Sequence, residues 1–169
     1  ISADGEYIAA GSGSDDKKVY LFDKDSSTPL WSYTTIGDVD SVAISADGEY
    51  IVAGSDNNWD GRLYLFDKDS NTPLWSRNTS TGPVVSISAD GEYIAKGNED
   101  SWVCLYDKDS STEIWAKQLP QSVTSVTISA DGEYVAAGSD DNKVYLFDKD
   151  SSTPLWNYST GGNVPSVKI

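Results

Sequence analysis

Four times the chain sets two carboxylates two residues apart: Asp23/Asp25, Asp67/Asp69, Asp107/Asp109 and Asp148/Asp150. Calcium loops open on Asp-x-Asp-x-Ser or Asp, but continue with Gly at the sixth position and a later bidentate Glu. Neither follows here. Asp and Ser at this spacing also cap backbone amides in turns, and that is the expected role. Paired acids can hydrolyse glycosides, yet with 27 Asp and Glu some pair always falls at a suitable distance. The chain has no His. That removes Ser-His-Asp and Cys-His nucleophiles and His-ligated zinc or iron. One cysteine, Cys104, cannot make an intrachain disulfide. It replaces Tyr20, Tyr64 and Tyr145 at one strand position, and a buried thiol is expected there. The expectation is a non-enzyme with no catalytic residue, no metal site and no cofactor. Asn78-Thr79-Ser80 and Asn157-Tyr158-Ser159 match the glycosylation sequon, a pattern short enough to arise by chance.

The elements that position these residues follow from a repeat. Ser-Ala-Asp-Gly-Glu-Tyr begins at Ser2, Ser45, Ser88 and Ser129, and a second phrase ends at Trp31, Trp75, Trp115 and Trp156. A fixed period in the forties denotes a repeat architecture. The units are residues 2–44, 45–87, 88–128 and 129–169 of one domain, 1–169. The second unit shows four strand signals: Ser41 to Ile44, Tyr50 to Gly54, Arg62 to Asp67, and one around Pro73 to Arg77. Asp47-Gly48 marks a tight turn, because Gly accepts the positive φ it needs. No helical periodicity is present. The fold class is therefore all-β: a β-propeller of four-stranded antiparallel blades, four repeats per chain. A β-sandwich is the rival, and near-identical repetition argues against it. The four periodic Trp residues are expected in the core, each contributing about 4–6 kcal/mol at about 25 cal/mol per Å².

The phrase "SVAISADGEYIVAGS" (residues 41–55) resembles a WD-repeat blade. The phrase "VYLFDKDSSTPLWSY" (residues 19–33) resembles the tryptophan-docking motif of quinoprotein-type propellers. In the latter, a turn with Thr precedes a Trp that packs on the adjacent blade. The resemblance covers all four units and implies the fold, but no particular activity, since propellers host many. A pyrroloquinoline-quinone-type dehydrogenase is the enzyme reading it raises. A purely structural repeat array is another.

With no Met and Ile1 first, the chain is expected to be a processed or excised piece, so missing targeting signals do not fix its location. An extracellular or cell-surface setting accompanies the binding reading. Ile1 shares its phase with Ile44, Ile87, Ile128 and Ile169. The first unit then lacks an inner strand, and Val164 to Ile169 form an inner strand without a blade. Two chains are expected to pair into one eight-bladed ring, each completing the other's first blade, with a closed four-bladed monomer as the rival.

The net charge of −15 disfavours nucleic acid and anionic membranes. No apolar run is long enough to insert in a membrane. The Asp-Gly and Asp-Lys-Asp turns barely vary between units, whereas the second-to-third and fourth-to-first loops do. Partners are therefore expected on the variable loops, through Asp15, Asp16, Asp60, Asp100, Asp140 and Asp141, with Trp59 and Trp102 as aromatic anchors. Asp38, Asp40 and Asp56 lie in the same loops. Local packing is the competing role for the two Trp residues. A basic protein segment is the first expected ligand and a glycan the second, making this a ligand-binding or scaffold propeller.

Overall fold

A computed structural model describes residues 1–169. The chain contains fifteen strands and no helix. They are β1 (Tyr7–Gly11), β2 (Lys18–Asp23), β3 (Trp31–Thr34), β4 (Asp38–Ile44), β5 (Tyr50–Asp56), β6 (Gly61–Asp67) and β7 (Trp75–Thr79). There follow β8 (Pro83–Ile87), β9 (Tyr93–Asn98), β10 (Trp102–Asp107), β11 (Glu113–Gln118), β12 (Val123–Ile128), β13 (Tyr134–Ser139), β14 (Lys143–Asp148) and β15 (Trp156–Ser159). They form four antiparallel propeller blades. Blade 1 has three strands, β1-β2-β3, and the others have four: β4-β5-β6-β7, β8-β9-β10-β11 and β12-β13-β14-β15. Residues 160–169, where an inner strand was expected from Val164 to Ile169, form no strand, although the Val164 amide donates to the Ser139 carbonyl.

The chain divides into two compact units, residues 1–83 and 84–169. In the first, Val19, Leu21, Val39, Ile51, Ala53, Tyr64 and Phe66 form a core, with Trp31 and Tyr33 packed against it. In the second, the core holds Ala95, Val103, Leu105, Trp115, Val126, Val135, Tyr145 and Phe147. Cys104 is buried, as expected.

The repeated phrases each build one device. In Ser-Ala-Asp-Gly-Glu-Tyr, Ser45 Oγ donates to Asp47 Oδ1 at 2.5 Å and accepts from the Tyr50 amide at 3.0 Å. The Glu49 amide also donates to Asp47 Oδ1. Gly48 completes the turn at φ 76°. In the Asp-Lys-Asp turns, Asp67 Oδ1 accepts the Asp69 amide at 2.8 Å, while Lys68 Nζ pairs with Asp69 and Glu49. The first carboxylate is thus an amide cap and the second a lysine partner.

The strand that follows each Asp-Gly turn carries a Gly near its end, where the next blade's inner strand crosses. A Cβ on Gly11 would lie 2.4 Å from Val39 Cγ1, and one on Gly97 would lie 2.4 Å from Val123 Cγ1. The closing Trp ties one blade to the next. Trp31 Nε1 donates to the Lys68 carbonyl at 2.7 Å, and Trp115 Nε1 to the Lys149 carbonyl at 2.8 Å. Their rings lie 5.4 Å from Phe66 and 5.3 Å from Phe147. Trp156 departs from the expected core role: it is 49% exposed.

Candidate functional site

In the first unit the variable loops are residues 12–17, 35–37, 57–60 and 80–82, the segments between consecutive strands on one side of the blades. Two of them, with the adjoining ends of β4 and β5, line an open cavity of about 330 Å³ through Ser14, Lys17, Asp38, Asp40, Asp56, Asn57 and Asn58. Register explains why three acids meet there. β4 pairs with β5 so that Asp38 stands directly opposite Asp56. A register shift between Val39 and Ser41 makes Asp40 the extra residue of a bulge. Like charges directly opposite across a ladder are destabilising. The Ser14 amide donates to Asp38 Oδ1 at 2.7 Å and relieves one carboxylate. Asp56 Oδ1 is buried and accepts no hydrogen bond from the protein, an arrangement that costs free energy until a donor arrives. A side chain on Gly82 would lie 2.7 Å from Asp56 Cβ and 2.9 Å from Asp40 Oδ2, so glycine there leaves room for both acids.

Trp59 follows Asn58 in the chain and is 72% exposed, so local packing is not its role. Asn58 and Trp59 both have positive φ, at 51° and 72°. A bulky residue in that region is uncommon and strained. The loop therefore holds the indole outward at a conformational cost. Asp60 and Asp15 are exposed.

Asp16 plays a different part. It accepts from the hydroxyls of Tyr20 and Ser12 and pairs with Lys18 at 3.2 Å. The Tyr20 hydroxyl, above all, holds its carboxyl below the usual range. Its role is to clasp the β1–β2 loop.

In the second unit Asp141 repeats this clasp. It accepts from the Tyr145 hydroxyl and the Lys143 amide. Burial, followed by the bond to Asp141, pushes the Tyr145 hydroxyl well above its ordinary pKa. Asp140 is exposed and Asp100 half-buried. Trp102 begins β10, its amide held by Asn98 Oδ1 at 3.0 Å, and is 36% exposed, half the value of Trp59.

Of the expected contact residues, Trp59, Asp15, Asp60 and Asp140 are presented to solvent, Trp102 and Asp100 partly so, and Asp16 and Asp141 are tied to Tyr20 and Tyr145 of their own hairpins. The three cavity acids, Asp38, Asp40 and Asp56, fall on the variable-loop face expected from the sequence, though not among its expected contact residues. The signal for them was the Asp-Val-Asp of residues 38–40 at the start of an inner strand.

The family model described as outer membrane protein assembly factor BamB matches residues 1–99 and, in a second placement, 59–168. No curated protein matches the chain.

Proposed function

The chain belongs to the family of the outer membrane protein assembly factor BamB, with its quinoprotein-type repeats, and from that premise we propose that it is a non-catalytic binding or scaffold propeller whose acidic loops take a basic protein segment. The observation that carries this reading is the cavity at Asp38, Asp40 and Asp56. It contains a like-charged cross-strand pair and a buried acceptor without a donor. A Lys or Arg side chain satisfies both, since it brings charge and several donors. The volume suits one such side chain with its stem. The net charge of −15 steers cationic segments toward the loops, and exposed Trp59 offers a face for cation–π contact. A family described as an assembly factor is in keeping with protein binding.

The test is a titration with a Lys/Arg-rich peptide followed by calorimetry. Binding should weaken steeply between about 50 and 500 mM salt, as screening shortens to a few ångströms. Asp56→Asn and Trp59→Ala should each weaken it about tenfold or more. Binding that ignores both substitutions removes this site from the reading.

A glycan is the second reading, favoured by the outward, strained presentation of Trp59. Stacking of sugar on indole is largely indifferent to salt, so the same titration with oligosaccharides separates the two. A quinone-dependent dehydrogenase is the enzyme alternative, and a stoichiometric absorbance change on adding pyrroloquinoline quinone would favour it.

A further inference from the structure

We infer that the acidic cavity selects arginine over lysine, and that Lys17 on its wall enforces the choice. The inference rests on the reading of this site as a seat for a basic side chain, and it says which one. The lining is the first reason. Every side chain on it is polar: three carboxylates, two carboxamides, one hydroxyl and one ammonium. Long cationic side chains bury their stems along apolar surface, and here there is none. A lysine would bring its whole four-carbon stem into a polar space. Arginine has a polar Nε–H where lysine has its last methylene, so more of its length finds a partner.

The second reason is how the acceptors are spread. Asp38 and Asp56 face one another across the β4–β5 ladder, with Asp40 at the bulge. A side chain on Gly82 would lie 2.7 Å from Asp56 Cβ and 2.9 Å from Asp40 Oδ2, so both acids border one gap. Asp56 Oδ1 is buried there without a donor. Thr81, the residue before Gly82, is only 2% exposed, and its hydroxyl also lacks a partner. These oxygens come from β4, β5 and the β7–β8 loop. A planar fork of five N–H donors reaches several of them at once, and bidentate pairing with carboxylates is its preferred geometry. The three donors of an ammonium leave from one atom and serve such a spread less well.

The third reason is Lys17. It lines the cavity with the three acids, yet it makes no ion pair with Asp38 or Asp56. The neighbouring lysines do pair: Lys18 with Asp16, Lys24 with Glu6 and Asp25, and Lys68 with Glu49 and Asp69. The Lys17 backbone is fixed at the wall. Its φ is 53°, and its carbonyl accepts both the amide and the hydroxyl of Thr35 at 2.8 Å. An ammonium carried there repels any second cation. The penalty falls hardest on a compact, strongly hydrated charge, and less on a delocalised, weakly hydrated guanidinium. Repulsion of the wrong ligand is a common source of specificity. Trp59 adds to the preference. It follows the lining residue Asn58, is 72% exposed, and offers an indole face on which guanidinium stacks.

Three peptides of equal length, rich in Arg, Lys or citrulline, test this by calorimetric titration into the whole chain at about 50 mM salt. The Arg peptide should bind about tenfold or more tighter than the Lys peptide of the same charge. Citrulline, which keeps the shape of arginine without its charge, should not bind measurably. Lys17→Gln should tighten the Lys peptide more than the Arg peptide and narrow the gap to about threefold or less. Gly82→Ala fills the gap without removing a charge and should weaken the Arg peptide, with thermal melting as the check on its fold. Lys17→Gln carries the test alone if Gly82→Ala unfolds the chain. Equal binding of the Arg and Lys peptides, abolished in both by Asp56→Asn, overturns the selectivity and leaves the basic-segment reading standing. A gap unchanged by Lys17→Gln overturns the part given to Lys17. Binding of neither cationic peptide removes the inference together with the reading beneath it.

Discussion

Tyr145 closes the β13–β14 loop by donating its phenolic hydrogen to Asp141, the residue four positions before it. The same pair recurs as Tyr20 and Asp16 in blade 1. At the matching positions of blades 2 and 3 stand Tyr64 with Asp60, and Cys104 with Asp100. In blade 2 the Tyr64 hydroxyl accepts the Ile36 amide, and Asp60 is left exposed. Tyr145→Phe should therefore cost about 1–2 kcal/mol, since it removes a hydrogen bond to a charged group. Asp141→Asn in the Tyr145→Phe background should add little further. Additive losses in a double-mutant cycle by urea unfolding would show that the two residues act separately.

The closing tryptophans predict an asymmetry. Trp115 is 9% exposed and bonded to Lys149, so Trp115→Ala should cost about 3–5 kcal/mol. Trp156→Ala should change stability by less than about 0.5 kcal/mol, as surface substitutions do. Equal losses on chemical denaturation at high dilution would contradict this difference in burial.

The turn glycines separate strain from crowding. Gly5 and Gly48 have nearly the same φ, 78° and 76°. A Cβ on Gly48 would lie 2.6 Å from Tyr7 Cδ2, whereas on Gly5 the nearest atom is Ile1 Cδ1 at 4.0 Å. Gly5→Ala should cost about 1 kcal/mol, the left-handed conformation alone. Gly48→Ala should cost visibly more, because the Tyr7 ring must move. Melting of the two variants side by side measures the gap.

Stability should hold on a plateau in mid-range pH and fall on both sides. Hydrogen bonds from the Ser2 hydroxyl and the Glu6 amide hold the Asp4 carboxyl below 3.8, and those from Ser129 and Glu133 do so for Asp131. A lowered carboxyl supplies stability that is complete above its unfolded pKa and is lost as pH falls through the folded value. The acid limb thus begins near pH 4. Lys24, Lys68, Lys108 and Lys149 are raised above 10.5, chiefly by the neighbouring Asp of each turn, and Tyr145 is raised by burial. Their contribution is complete below the unfolded values and is lost as pH rises beyond about 10. Urea midpoints from pH 3 to 12 trace both limbs, and Ser2→Ala with Ser129→Ala should reduce the acid one.

The blades were legible because each repeated phrase performs a local act. Asp47 and Gly48 make a turn wherever they occur together, and Lys68 between two acids makes another. Boundaries moved where one atom decides: Pro73 has no amide to give, so the last strand of blade 2 starts at Trp75, although the Leu74 amide already donates to Leu65. The cavity was less legible. Whether Asp38 meets Asp56 depends on the bulge at Asp40, which shifts register by one residue, and residue identity does not announce a bulge. Trp156 was illegible for a further reason. Its local sequence matches that of Trp31, yet Trp31 packs on Phe66 and Trp156 is 49% exposed.

The near-identity of the repeated strands also bears on how the chain reaches its fold. β5 meets four chemically similar candidates for its partner, in β2, β6, β10 and β14, and side-chain preference barely distinguishes them. What does is proximity along the chain: the β5–β6 loop is short, so its closure loses far less entropy than any pairing between blades. Hairpins should therefore form first, and local order along the chain should set the pathway. Errors should take the form of hairpins exchanged between repeats or molecules, the characteristic failure of repeat proteins, and should grow with concentration during refolding.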